Sequence, residues 1–134
     1  MSVELNFIAI IVAGVINYAI GALWYSPLLF INVWMSSQRR SKEEMSKGMT
    51  KAMIGGAVAA LLTALGVGYV IALAQPAGLV EAVQLAFFLW IGFLLPIATY
   101  ALVYEGQHKN AFLLFVSYQL LAFVAMAATL TLWP

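Results

Sequence analysis

Four long apolar stretches constrain the fold of this chain more than any other feature of its sequence. They lie at about residues 7–26, 52–73, 83–104 and 111–132. A helix of about 20 residues is about 30 Å long, which matches the hydrocarbon core of a bilayer. Lipid offers the backbone no hydrogen-bond partners, so each stretch is predicted to be a membrane-spanning helix.

The composition excludes a soluble domain. Of the 134 residues, 65% are hydrophobic and 8% are charged, whereas soluble domains carry about 25% charged residues. A net charge of +1 gives no basic surface for nucleic acid. The chain has no cysteine, which removes disulfides and cysteine metal sites. The predicted partner is the lipid bilayer, and residues 1–134 are expected to form one all-helical membrane domain.

The basic residues predict the orientation of the chain. One of the six, Lys109, follows the third stretch, and the others lie between the first two stretches, in a basic loop at about residues 36–51: Arg39, Arg40, Lys42, Lys47 and Lys51. Basic loops stay on the cytoplasmic side. Both basic loops are therefore expected in the cytoplasm, with both ends of the chain outside.

The segment after the first span is expected to form a short helix. Pro27 suits the first position of a helix, and Ser26 before it can cap that helix. The apolar segment at residues 28–35 is too short to span a membrane. It is predicted to be an interfacial helix.

The second spanning helix is expected to extend into the cytoplasm. Ser41 followed by Glu44 is a capping-box pattern, which places the start of the helix near Lys42. Gly48 weakens this extension by about 1 kcal/mol relative to alanine. The predicted fold is thus an all-α, four-span bundle with an interfacial helix and an extended second helix.

Small residues recur every four positions in the second span. The central members of this stripe are Gly56, Ala60, Ala64 and Gly68. Small side chains let helix backbones approach closely in lipid. The second span is therefore predicted to be the central packing helix of the bundle, and a small-residue pore lining is the alternative.

A few polar side chains fall near the middle of the spans. They are Asn17, Thr63, Tyr118 and Gln119. Polar groups at this depth seek hydrogen-bond partners worth about 0.6–2 kcal/mol each. Two interpretations remain open, namely structural hydrogen bonds that fix the helix register and a hydrated site for a small solute.

The third span contains a proline and a deep tryptophan. Pro96 removes a backbone donor and frees the carbonyl of Gly92, so a kink is expected there. Trp90 lies too deep for an interfacial anchor and is expected to pack inside the bundle.

No catalytic, cofactor-binding or metal-binding residues are predicted. All five acids lie at span ends or in loops, and the serines near the membrane surface have no obvious base. Glu105 and His108 share the second basic loop, but one carboxylate and one imidazole are too few for a metal site. A solvated loop is the preferred interpretation, and an enzyme is not expected.

The end of the first span carries a motif that resembles the domain of unknown function 1761 family. The motif residues are Gly21, Trp24, Tyr25, Ser26 and Pro27, with Trp34 following, and Trp90 and Gly92 match a second element in the third span. Bacterial members of this family look like small four-span membrane proteins. The resemblance implies a multi-pass protein of the bacterial inner membrane and implies no established activity.

Two functions are consistent with these observations. The first is a membrane subunit or scaffold without enzymatic activity, which acts by helix packing and association. The second is an oligomeric channel or transporter for a small solute, with the midplane polar residues as its site. Four spans enclose little volume, so a homo-oligomer is expected in either case.

Overall fold

The computed structural model describes residues 3–38 and 41–134, and every regular element within them is helical. Four helical spans are long and apolar enough to cross a membrane, namely Phe7–Trp24, Met49–Ala74, Leu79–Tyr104 and Lys109–Leu132. The predicted four-span helical membrane fold is confirmed. We label the first, second and fourth spans α1, α4 and α7. Arg39 and Arg40, in the predicted basic loop, lie outside the described residues.

Helix α1 begins at a side-chain cap and ends before the predicted helix start at Pro27. The Asn6 Oδ1 accepts a hydrogen bond from the Ala9 N–H at 3.1 Å, which satisfies a free donor of the first turn. Ser26 does not cap a following helix, because its hydroxyl donates to the Leu23 carbonyl at 2.6 Å. Pro27 lies in a turn. The prediction of a Ser26 cap was wrong.

A short helix nevertheless follows this turn. Helix α2 spans Ile31–Ser37, three residues later than the predicted apolar segment begins. It packs against α7. Its position at the membrane interface stays a prediction.

The second span is extended by a separate helix. The Ser41 hydroxyl accepts from the Glu44 N–H at 3.2 Å, and helix α3 spans Lys42–Lys47. Gly48 then adopts a non-helical conformation (φ −100°, ψ 9°), and α4 starts at Met49. Glycine has low helix propensity, so the expected continuous extension is interrupted at this residue.

The third span contains a π-helical turn directly before Pro96, and the kink expected at this proline stays a prediction. It consists of α5 (Leu79–Leu89), the π-turn (Trp90–Leu94) and α6 (Leu95–Tyr104). In the π-turn, the Leu95 N–H donates to the Trp90 carbonyl. Pro96 follows in the first turn of α6, where its missing donor costs least. The wider turn therefore accommodates the proline.

Helix α7 occupies the centre of the bundle. It contacts α1, α4, α5 and α6, whereas α4 packs mainly on α1 and α7. In its most apolar 18-residue window, 39% of the residues are buried, against 6% in the third span. The prediction that the second span is the central helix was therefore wrong, because both it and the third span leave more of their surface exposed than α7 does.

Candidate functional site

A hydrogen-bonded pair joins α1 to α7 near the middle of the bundle. Asn17 is only 1% exposed. The Tyr118 hydroxyl donates to the Asn17 Oδ1 at 2.5 Å and lies 3.2 Å from the Asn17 backbone carbonyl. An interhelical hydrogen bond in a membrane contributes about 0.6–2 kcal/mol. The Tyr118 hydroxyl thus supplies a hydrogen bond to the buried Asn17 Oδ1 from within the protein.

Gly21 makes this contact possible. It lies one turn after Asn17 on the same face of α1, beneath the Tyr118 ring. A Cβ at Gly21 would lie 2.9 Å from both Cζ and Oη of Tyr118. A side chain here would displace the Tyr118 ring, so glycine at this position favours the contact with Asn17.

Two aromatic residues of the first-span motif, Tyr25 and Trp34, continue the packing from Tyr118. The Tyr25 ring lies between Tyr118, at a centroid distance of 6.2 Å, and Trp34, at 5.9 Å. Both contacts are edge-to-face, an arrangement favoured by the ring quadrupoles. Trp24 packs on Phe30 at 4.9 Å. The motif therefore joins α1, the following turn, α2 and α7 into one unit.

The other predicted midplane residues do not join this pair. The Thr63 hydroxyl donates to the Ala59 carbonyl of its own helix at 2.8 Å. Gln119 is half-buried on α7. Among the described residues, no hydrogen bond links either side chain to Asn17. The four residues thus lie at similar depth without forming one polar site.

The small-residue stripe of the second span lies largely inside the bundle. Ala60, Ala64 and Gly68 are buried, and we call them the inner face of α4. A Cβ at Gly14 of α1 would lie 3.5 Å from the Ala64 Cβ. Gly56, the fourth member of the stripe, is exposed. Close packing of α1 on α4 therefore depends on small side chains in both helices.

A second set of residues on α4 faces away from the protein. Gly55, Ala59, Leu62 and Gly66 are spaced four, three and four apart and are all exposed. This spacing places them on one side of a helix. A Cβ added at Gly55 or Gly66 would meet nothing within 4 Å. We call these four residues the outer face of α4.

Sequence reasoning missed the outer face. The regular four-residue repeat of the stripe drew attention to Gly56 and Ala60, each one position after a member of the outer face. The outer face could have been recognised from the alternating three- and four-residue spacings of its members, a pattern that is typical of the contact between two helices.

The second motif element lies where the third span meets α7. The Trp90 Nε1–H donates to the Val116 carbonyl at 2.8 Å, so this deep tryptophan is directed toward α7. Gly92 and Pro96 are exposed on the far side of the span. Only the tryptophan of this element therefore contacts the bundle through a side chain.

Glu105 and His108 lie at a small cavity at the end of the bundle where the basic loops are. Together with Ser37 and Gln38 they line a volume of about 250 Å³. The His108 Nδ1 accepts from the Asn110 N–H at 3.0 Å and caps α7. Among residues 3–38 and 41–134, no three His, Cys, Asp or Glu side chains are grouped to hold a metal ion. The imidazole thus has a structural role at the start of α7.

The sequence comparisons assign the chain to a family. The family model described as a protein of unknown function (DUF1761) matches residues 8–131, which is nearly the whole chain. The chain therefore belongs to this family. No curated protein and no solved structure matches it.

Proposed function

We propose that this DUF1761 protein is a membrane subunit without enzymatic activity that works as a homo-oligomer, and that the outer face of α4 joins its copies. The observation that carries the proposal is a pair of exposed glycines, Gly55 and Gly66, on one face of a spanning helix. Ala59 lies between them and is also exposed.

Glycine lowers the stability of a helix, and contact with lipid does not restore the lost stability. Each glycine destabilises a helix by about 1 kcal/mol relative to alanine. In a bilayer, small residues gain energy when another helix packs closely against them. Neighbouring segments of this chain leave Gly55 and Gly66 uncovered. A helix from another copy would supply the missing contact.

A second copy of this chain is the partner we favour. A two-fold symmetric contact needs only one surface, because each copy offers the same face to the other. The outer face has no charged side chain, so two copies can meet along it within the hydrocarbon core without burying a charge.

We further propose that the protein lies in the bacterial inner membrane, with its basic loops in the cytoplasm. In the sequence, all six Lys and Arg residues fall in the two segments predicted to be basic loops. Of these, Lys47 in α3, Lys51 in the first turn of α4 and Lys109 at the start of α7 lie at one end of the described bundle. The positive-inside rule supports this orientation. The same orientation places both ends of the chain outside.

Cysteine cross-linking tests the self-association, since the chain has no cysteine of its own. Ala59→Cys should form a disulfide-linked dimer in native membranes under mild oxidation. The matched control is Leu61→Cys, which lies two residues (about 3 Å) further along α4, is 42% exposed and is about 160° around the helix from Ala59. Equal cross-linking of both variants, or none of Ala59→Cys, would contradict the proposal.

An oligomeric channel or transporter for a small solute is less well supported. The Asn17 Oδ1 already accepts from Tyr118, and Thr63 donates within its own helix. Asn17→Leu distinguishes the two functions. Loss of solute flux from proteoliposomes with the oligomer intact would favour transport, whereas loss of folding with no flux in the native protein would favour the subunit.

A further inference from the structure

One backbone carbonyl of the third span has no hydrogen-bond donor within its own helix. The Ile91 carbonyl would accept from the N–H four residues later in an α-helix, or five residues later in a π-helix. The Leu95 N–H donates instead to the Trp90 carbonyl, and Pro96 has no N–H. Leu94 belongs to the π-turn, whose N–H groups bond five residues back. The backbone therefore leaves the Ile91 carbonyl free.

The side chains of the third span do not supply the missing donor. The Thr99 hydroxyl donates to the Leu95 carbonyl at 2.7 Å, and the Trp90 Nε1–H donates to the Val116 carbonyl at 2.8 Å. Among the described residues, no side chain donates to the Ile91 carbonyl. Backbone groups without a partner are strongly unfavourable in hydrocarbon, so this carbonyl favours a donor from another molecule.

The surface beside the free carbonyl is open to a second helix. The Ile91 carbonyl belongs to the peptide bond with Gly92, and a Cβ added at Gly92 would meet nothing within 4 Å. Phe88, Gly92 and Pro96 follow one another at four-residue spacing and are all exposed, and we call them the π face. A glycine on such a face lets another helix approach the backbone closely. Residues 82–104 carry no charge, so a helix covers this face without burying one.

A two-fold contact between copies does not bring a donor to the π face. The proposed orientation is the same in every copy, so the π face would meet residues of its own depth. Within residues 87–95, only Trp90 has a side-chain N–H or O–H. That N–H is already bonded to the Val116 carbonyl of the same copy.

The other spans of a copy do not present a free donor at this depth either. The Thr63 and Ser117 hydroxyls each donate to a carbonyl of their own helix. Gln119 lies three residues from both Val116 and Ala122, which are buried, so it is on the side of α7 that packs inside the bundle. The donor is therefore expected from a different protein.

We propose that the π face binds a spanning helix of a different membrane protein, which donates a hydrogen bond from a side-chain N–H near midspan to the Ile91 carbonyl. The chain already contains one interhelical contact of this kind, between the Trp90 Nε1–H and the Val116 carbonyl. An indole suits the site because it donates one hydrogen bond and has no acceptor that needs a partner. The proposal deepens the proposed role as a membrane subunit by naming the kind of partner.

The probe is a spanning peptide of leucines with one central tryptophan, and the control peptide has phenylalanine at that position. Phenylalanine keeps an aromatic ring and has no N–H. Binding is measured in phosphatidylcholine vesicles by fluorescence transfer to a dye on a single cysteine, introduced as Ser46→Cys on the exposed surface of α3. The protein should bind the tryptophan peptide about tenfold more tightly, as expected for one interhelical hydrogen bond. Equal binding of the two peptides would overturn the proposal.

Pro96→Ala tests the role of the free carbonyl, because it restores the missing donor. If the π-turn persists, the new N–H reaches the Ile91 carbonyl, and if the turn relaxes to an α-helix, the Leu95 N–H reaches it instead. The tenfold preference for the tryptophan peptide should therefore disappear. Pro27→Ala, in the exposed turn after α1, is the matched control and should keep the preference. A preference that survives Pro96→Ala would contradict the proposal.

Two further variants separate this partner from self-association. Gly92→Leu covers the backbone beside the Ile91 carbonyl, so it should lose the preference while its oligomeric mass in sedimentation equilibrium matches that of the native protein. A lower mass for Gly92→Leu or Pro96→Ala would show that a second copy occupies the π face, against the proposal. Ala59→Leu, on the outer face of α4, should keep the preference for the tryptophan peptide. Failure of one proposal therefore leaves the other standing.

Discussion

The two faces of α4 are built from the same kinds of residue and have different surroundings. On the inner face, Ala64 is fully buried, and a Cβ at Gly68 would lie 2.8 Å from the Ile10 Cγ1. On the outer face, a Cβ at Gly55 or Gly66 would meet nothing within 4 Å. Small residues in a spanning helix therefore indicate close packing without identifying the partner. The inner face packs within the chain, and we assign the outer face to another copy.

Small residues in a spanning helix can stabilise either the fold of one copy or its association with another copy. Substitutions on the inner face should change the free energy of unfolding of a single copy. Substitutions on the outer face should change only the free energy of association. The predictions below test this separation, beginning with the largest expected effect.

Ala64→Leu should give the largest loss of stability. The Ala64 side chain is 0% exposed and lies beside Gly14 of α1, so the added atoms have no space. Overpacking of this kind costs about 1–3 kcal/mol. Thermal unfolding in detergent should show a clearly lower midpoint than the native protein. An unchanged midpoint would mean that α1 and α4 do not pack as the structure shows.

Tyr118→Phe should have an intermediate effect. It removes the hydroxyl that donates to the Asn17 Oδ1 and leaves that buried oxygen unpaired. The expected loss is about 0.6–2 kcal/mol, measured by the same thermal unfolding. Thr63→Val is the matched control, because its hydroxyl bonds only within α4. Similar midpoints for both variants would show that the Asn17 contact contributes no stability.

Ala59→Leu should have the smallest effect on unfolding. Ala59 is exposed on the outer face, so a larger apolar side chain extends into lipid without a clash. We expect the thermal midpoint in dilute detergent to match that of the native protein, in contrast to Ala64→Leu. A large drop in the midpoint would place Ala59 in the interior of the bundle and remove the distinction between the two faces.

The spanning segments could be predicted because hydropathy alone identifies them. The packing between them could not. Each face of these helices is apolar, so a residue that contacts a neighbouring helix looks the same in sequence as one that contacts lipid. For this reason the central position of α7 and the exposed third span became visible only in the structure.

The sequence indicated which residues form the candidate site, but it did not indicate that Asn17 and Tyr118 contact each other. Asn17 and Tyr118 stand out as polar residues in apolar stretches, but they are 101 positions apart. Their contact depends on Gly21, whose missing side chain admits the tyrosine ring. The π-turn before Pro96 was also missed. A proline within a helical stretch predicts that the regular hydrogen bonding is interrupted, but it does not specify the backbone geometry that results.

Sedimentation equilibrium in density-matched detergent tests the central claim most directly. The native protein should sediment as a dimer or larger oligomer, and Ala59→Leu combined with Gly66→Leu should sediment as a monomer that still unfolds cooperatively on heating. If the native protein and the double variant had the same mass, the outer face of α4 would not be the surface that joins its copies.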